Sequence, residues 1–195
     1  AGAVVYVIAD ASRASLQQAE DELGNLAATT AKDVAATLAE SERFLLVLAQ
    51  RPLVRALDPG RCDPIIAEFA KLHPVYSNLA IRDIHGNSIC SFLLRVAPGS
   101  TAAKFPWFQE GIRRREFLAG DAFHGDASGR WFSALTYPLL DDRGAVIGVL
   151  AMGVDLLELQ RRILPAVPKD VVVSVIDRQG RFLMRSADPA QWIGK

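Results

Sequence analysis

The sequence predicts an α+β fold: a long N-terminal helix, a domain built on a central antiparallel sheet flanked by helices, and the first hairpin of a second domain. Three observations predict it. Residues Ala11 to Gln50 hold no proline and one glycine, Gly24, and are rich in Ala, Leu, Glu and Gln, all good helix formers. Three separate stretches read as an apolar strand, an Asp-x-x-Gly turn and a second apolar strand, which is a hairpin pattern with a mechanism, since Asp caps the turn and Gly takes the positive φ at its end. Shorter segments with apolar residues at helical spacing lie between them.

In the first helix Leu16, Ala19, Leu23, Leu26, Thr30, Val34, Leu38, Leu45 and Leu48 draw one apolar stripe. Forty residues at 1.5 Å each reach about 60 Å, more than a small domain is wide, so part of the stripe must meet something beyond it. Small residues dominate its first half and Phe44 to Leu48 crowd its end. The second half is therefore expected on the core, and the first as a stalk able to pair with a second copy. The preceding run AGAVVYVIAD is either a helix end tucked into the protein or the trailing end of a membrane span. No run of 18 apolar residues occurs in the chain itself.

Arg51-Pro52 should break this helix, and Asp63-Pro64 should start a short one running to Leu72. The first hairpin spans Asn78 to Phe92 around Asp83–Gly86. A loop at Val96 to Ala103 leads into Phe105 to Phe117, with Trp107, Phe108, Ile112 and Phe117 at helical spacing, and then a strand carrying Asp121 and Phe123. The second hairpin is Trp131 to Leu157, turning at Asp141–Gly144 and ending in Asp155, either a cap for the helix that follows or a carboxylate facing a pocket. That helix, Glu158 to Leu164, ends at Pro165. The third hairpin, Val171 to Arg185, turns at Asp177–Gly180. The expected division is a stalk helix over residues 1–50, a main domain over 51–166, and a linker with the start of a second domain over 167–195.

Twenty-two basic residues balance 22 acidic ones, which argues against nucleic acid as a partner. Cys62 and Cys90 have no CxxC spacing and no histidine pattern suited to zinc; they are two buried thiols or one disulfide. The three histidines, His73, His85 and His124, are dispersed. No G-x-S-x-G, Walker-type or H-E-x-x-H motif occurs, so neither an enzyme activity nor a metal or cofactor is expected. Arg113 to Arg115 read as a solvated helix face. The aromatics Trp107, Phe108, Phe117, Phe123, Trp131 and Tyr137 cluster in sequence with Asp121, Ser133 and Asp155. They form either the core of the domain or an apolar-walled ligand pocket with a few polar anchors.

Two segments, PVYSNLAIRDIHGNSICS and YPLLDDRGAVIGVLAMGVDLLEL, in this order after a long leading helix, resemble the Cache family of PAS-like, PDC-type extracytoplasmic sensor domains of bacterial receptors. The tail VVVSVIDRQGRFLMRSADPAQWIGK is similar to the start of the membrane-proximal copy in double-Cache receptors, so the resemblance implies a truncated ectodomain. It implies a periplasmic, membrane-anchored sensor of a histidine kinase, a nucleotide cyclase or a chemoreceptor, which binds a small organic molecule and relays a conformational change. The alternative is a structural dimerisation module. The resemblance also implies a Cys62–Cys90 disulfide. Where amino-acid-sensing members carry Arg-x-Trp-Tyr, this chain has Phe105-Pro106-Trp107-Phe108, without the arginine, while Asp155 stands where they hold an amine. The implied ligand is thus a carboxylate or amine, not specifically an α-amino acid.

Overall fold

The computed structural model of the chain describes residues 2–72, 75–92, 101–125, 129–164 and 167–195, with side chains described from residue 15 and not at 70–72. His73, the loop residues Val96 to Ser100 and Pro165 lie outside the described residues. Contacts divide the chain into two compact units, Ala1–Thr37 and Leu38–Lys195. The first is helical throughout its described length, as part of α1 (Gly2–Ala49). Among the described residues no helix is long and apolar enough to cross a membrane.

The second unit starts with the last turns of α1. Pro52 ends α1 and opens the short α2 (Pro52–Arg55), as proline at the first helical turn should. Arg51 at this corner forms a two-pronged pair with buried Asp63, Nε to Oδ2 at 2.6 Å and Nη2 to Oδ1 at 3.0 Å. The same carboxylate receives the Ile65 N–H at 3.1 Å and so sets the start of α3 (Ile65–Leu72). Just before it, Cys62 is bonded to Cys90, the pairing that the family resemblance implied.

The sheet contains β1 (Tyr76–Asp83), β2 (Ser88–Ser91), β3 (Leu118–Ala119), β4 (Phe123–Gly125), β5 (Arg130–Leu140) and β6 (Val146–Asp155). Its order is β2-β1-β6-β5-β3, with β4 also on β5, and every pairing is antiparallel. This is the expected α+β, PAS-like arrangement. Leu79 and Ile81 of β1, Leu150 and Met152 of β6 and Leu135 of β5 meet Leu45 and Leu48 of α1, Val54 of α2 and Ile66 and Phe69 of α3 in one buried cluster. Phe44 stacks on Phe69 at 3.8 Å between ring centres, and the Ser41 and Tyr76 hydroxyls are 2.9 Å apart. One sheet face is thereby covered by helices.

On the opposite face lies α4 (Pro106–Arg114), shorter than the spacing of its aromatics predicts. Arg115 adopts the left-handed conformation at φ 58°, which ends the helix, so Phe117 is in the following chain and packs on the main core. After β6 comes α5 (Leu156–Ile163), two residues ahead of its expected start, because Asp155 is its N-cap. A two-stranded sheet of β7 (Ser174–Ile176) and β8 (Phe182–Arg185), followed by α6 (Pro189–Trp192), completes the description.

The three turns use one device. In each the Asp Oδ1 accepts the N–H groups two and four residues on: His85 and Asn87 for Asp83, Arg143 and Ala145 for Asp141, Gln179 and Arg181 for Asp177, all at 2.7–2.9 Å. Gly86, Gly144 and Gly180 close them at φ 81°, 77° and 78°, where a side chain would be strained.

Candidate functional site

Residues paired across neighbouring strands point to the same side of a sheet, so the strand registers define the face under α4. Ala80, Ala151 and Thr136 form one row, Asn78, Gly153 and Ala134 the next, and Phe123, Phe132 and Asp155 a third. Most of these side chains are small, which lets α4 approach closely: a Cβ on Gly111 would stand 2.9 Å from Thr136 Oγ1, and one on Gly120 3.1 Å from Trp107 Cβ. Phe108 fills the space between, buried against Val149 and Ala102.

Three buried polar atoms on this side of the molecule have no hydrogen-bond partner among the described residues: Arg82 Nε on β1, Thr136 Oγ1 on β5 and Trp107 Nε1 on α4. Arg82 lies in the row of Val149, and burial pulls the pKa of its guanidinium down against the opposing charge of Asp83. An unpartnered buried donor or acceptor costs about 1–3 kcal/mol.

Beside the helix a cleft of about 330 Å³ opens between α4, β4 and the β7–β8 turn, a volume at the low end for small-molecule sites. Its wall is aromatic. Phe105 stacks on Trp107 with centroids 5.9 Å apart, Trp107 lies 6.4 Å from Phe123, and Phe123 lies 6.0 Å from Phe132. Trp131 closes one side, and its ring meets His124 edge-on at 5.3 Å. The polar groups at the lip are Glu110 and Asp121, which face Arg178 across the opening at 3.4 Å each.

Of the nine ligand residues expected from the sequence, Trp107, Asp121, Phe123 and Trp131 line this cleft. The structure sets four others in the packing instead. Phe108 is under α4, and Phe117 and Tyr137 pack on the main core. Ser133 is buried, donating to the Gly120 carbonyl at 2.6 Å. The reason is strand parity: Ser133 and Tyr137 alternate onto the face opposite Phe132, Ala134 and Thr136. Asp155 has two roles in the fold. Its Oδ1 accepts the Leu157 and Glu158 N–H groups, both at 3.1 Å, and its Oδ2 meets Arg130 at 2.9 Å. It also ends the row that Phe123 begins, so it joins the aromatic wall through Phe132 without lining the cleft.

The sequence alone did not single out Glu110, Phe132, Arg178 or Gln179 as site residues. Phe132 backs the aromatic wall through Phe123 without lining the cleft. Arg178 and Gln179 carry no local signal, since they reach the cleft from 57 and 58 residues beyond Asp121. Among the described residues no group of three His, Cys, Asp or Glu side chains is placed to hold a metal ion.

The fold is similar to that of solved ligand-binding and sensor domains of bacterial receptors. No family model and no curated protein matches the sequence, but solved structures match the fold. The ligand-binding domain of the Pseudomonas fluorescens chemoreceptor CtaA, in complex with L-serine, aligns with a TM-score of 0.74 at 14% identity, over 92% of this chain and 76% of that one. The Pseudomonas aeruginosa amino acid chemoreceptor PctB, with L-glutamine, gives 0.72 at 16% identity over 90% and 71%. The V. cholerae histidine kinase DctB sensor domain gives 0.71 at 17% identity over 89% and 68%. The chain therefore shares the PAS-like α+β fold of these domains, as the family resemblance implied.

Proposed function

We propose that the chain is the extracytoplasmic ligand-sensing part of a transmembrane receptor, and that a small organic molecule carrying a carboxylate or amine binds in the cleft beside α4. The observation that carries this is the cleft itself: an aromatic wall with charged groups at its lip, next to a sheet face with three polar atoms that have no partner among the described residues. Asp155, at the end of the aromatic row, would act on the ligand from outside the cleft lining, through the strand end and the α5 start that it holds. Binding would shift the population of cleft conformations and pass the change through the terminal elements to an output domain, in the first place a histidine kinase.

In this reading residues 1–50 are a stalk, 51–166 the membrane-distal sensor domain and 167–195 the start of a membrane-proximal one. The Cys62–Cys90 bond suits an oxidising periplasm. Leu16 and Leu23 of the stalk are 64% and 49% exposed, which supports pairing of two copies along the first helix.

A thermal-shift screen against carboxylic acids, amines and amino acids tests the proposal. A ligand at one hundred times its Kd adds about 2.7 kcal/mol to the folded state, which raises Tm by about 5–10 °C in a unit of this size. A broad panel without a single shift would favour the structural dimerisation module.

A further inference from the structure

The third Asp-x-x-Gly turn does something that the other two do not. Asp83 and Asp141 use their carboxylates within their own turns. Asp177 has a side chain only 2% exposed, and its Oδ2 also accepts the N–H of Ala122, 55 residues back, at 3.2 Å. The next two residues extend the contact. Gln179 Nε2 donates to Asp121 Oδ2 at 3.0 Å, and the Arg178 guanidinium lies 3.4 Å from both Asp121 Oδ1 and Glu110 Oε2. Behind them Ile193 is buried with Ala122 and Leu156. The turn is thus anchored at its base, while its tip lies across the lip of the cleft.

Base and tip differ in how firmly they are held. Arg181 is committed to Asp177 at 3.0 Å. Arg178 is 50% exposed and stands at 3.4 Å from each carboxylate, whereas a well-formed charge-assisted bond closes to about 2.7–2.9 Å. A guanidinium held loosely by two carboxylates is one that another cation can replace. With Arg178 turned outward, Asp121 and Glu110 would face the cleft against an aromatic wall, Glu110 keeping Arg114 of its own helix at 3.6 Å. Carboxylates beside aromatic faces take an ammonium or guanidinium by charge and by cation–π attraction.

We infer that the β7–β8 turn is a lid on the cleft, that Arg178 is a built-in competitor for its carboxylates, and that the ligand it yields to carries an ammonium or guanidinium group. This rests on the sensor proposal and adds the ligand's charge and the element that reads it. Exchange of Arg178 for a ligand cation loosens the tip, so occupancy is delivered directly to the segment that leads on from the sensor domain.

The test is calorimetric titration of the whole 195-residue chain with ethylguanidinium, n-butylammonium and butyrate, in the wild type, Arg178→Ala, Arg178→Lys and Asp121→Asn, with melting curves as the folding control. Both cations should bind Arg178→Ala about three- to tenfold more tightly than wild type, the range expected on removing one or two exposed ion pairs. Arg178→Lys should return towards wild type, and Asp121→Asn should weaken binding. Saturation of the wild type should speed hydrogen exchange at the Arg178–Arg181 amides. Cation binding that is unchanged or weaker in Arg178→Ala overturns the inference, as does preference for butyrate that disappears with Arg178, or absence of cation binding in every variant. A hit in the broad thermal-shift panel that is indifferent to Arg178→Ala removes the lid and leaves the sensor proposal standing; a panel without hits removes both.

Discussion

Asp155 is the residue where fold and function are most closely joined, and two substitutions separate its roles. Asp155→Ala deletes the acceptor for two N–H groups of α5 and the partner of Arg130. Loss of an N-cap costs about 0.5–2 kcal/mol. Arg130 is 48% exposed, so solvent screening keeps that pair near the surface value of at most about 1 kcal/mol. The sum, about 0.5–3 kcal/mol, lowers Tm by about 1–12 °C at the sensitivity of a unit of this size. Asp155→Asn keeps an oxygen for the cap and removes the charge, so its Tm should stay within about 3 °C of wild type. Differential scanning calorimetry reads both. If Asn destabilises as much as Ala, the cap is not what Asp155 contributes to stability, and the reasoning from its hydrogen bonds fails. Titration of a panel hit into the Asn variant then isolates the charge: weaker binding at preserved stability is expected, and unchanged affinity removes Asp155 from the site.

Reducing Cys62–Cys90 opens a loop with a sequence separation of 28; chain entropy puts the loss at about 3.6 kcal/mol, and Tm under reductant should fall by about 7–14 °C. Native protein should show no free thiol to a labelling reagent until it is reduced. Gly194→Ala should undock the end of the chain, because the new Cβ would run into the Trp131 ring and Gly194 sits at φ 86°; faster hydrogen exchange at the Gly194 amide, which donates to the Phe182 carbonyl, and at the Phe182 amide, which donates to the Lys195 carbonyl, would report it. Acid should loosen the same region. Burial pushes the Asp177 carboxyl up, but the N–H groups of Arg181, Gln179 and Ala122 and the Arg181 charge together hold it below its usual value. A depressed carboxylate contributes stability that is present above its unfolded pKa of about 4 and is lost as pH falls through the folded value. Asp63 adds the same sign, through its hydrogen bond from Arg51. Urea midpoints should therefore decline below about pH 4, and less steeply in Asp177→Asn; an identical acid slope in that variant would contradict the assignment.

The hairpins were legible in the sequence because each turn carries its whole mechanism within five residues: a carboxylate, two N–H groups and a glycine. The long helix was legible from composition over forty positions. The site was less so, for reasons particular to β5. Both faces of that strand are covered, so its sequence is apolar on both sides, and nothing local says whether the Trp131–Ser133–Tyr137 set or the Phe132–Ala134–Thr136 set faces α4. Phe117 continued a helical spacing that the left-handed Arg115 cuts short. Asp121 was found as the polar residue among aromatics, but its partners Arg178 and Gln179 belong to another hairpin, and only the docking of that hairpin brings them to the cleft.

The central claim is that a small molecule occupies the cleft beside α4, and chemical-shift mapping of a panel hit on isotope-labelled protein tests it most directly. The Trp107 indole N–H and the backbone amides of Asp121 and Phe123 should move saturably with ligand, together with those of the β7–β8 turn. Shifts confined to the stalk helix or to the opposite face of the sheet, with Trp107 unmoved, would contradict it.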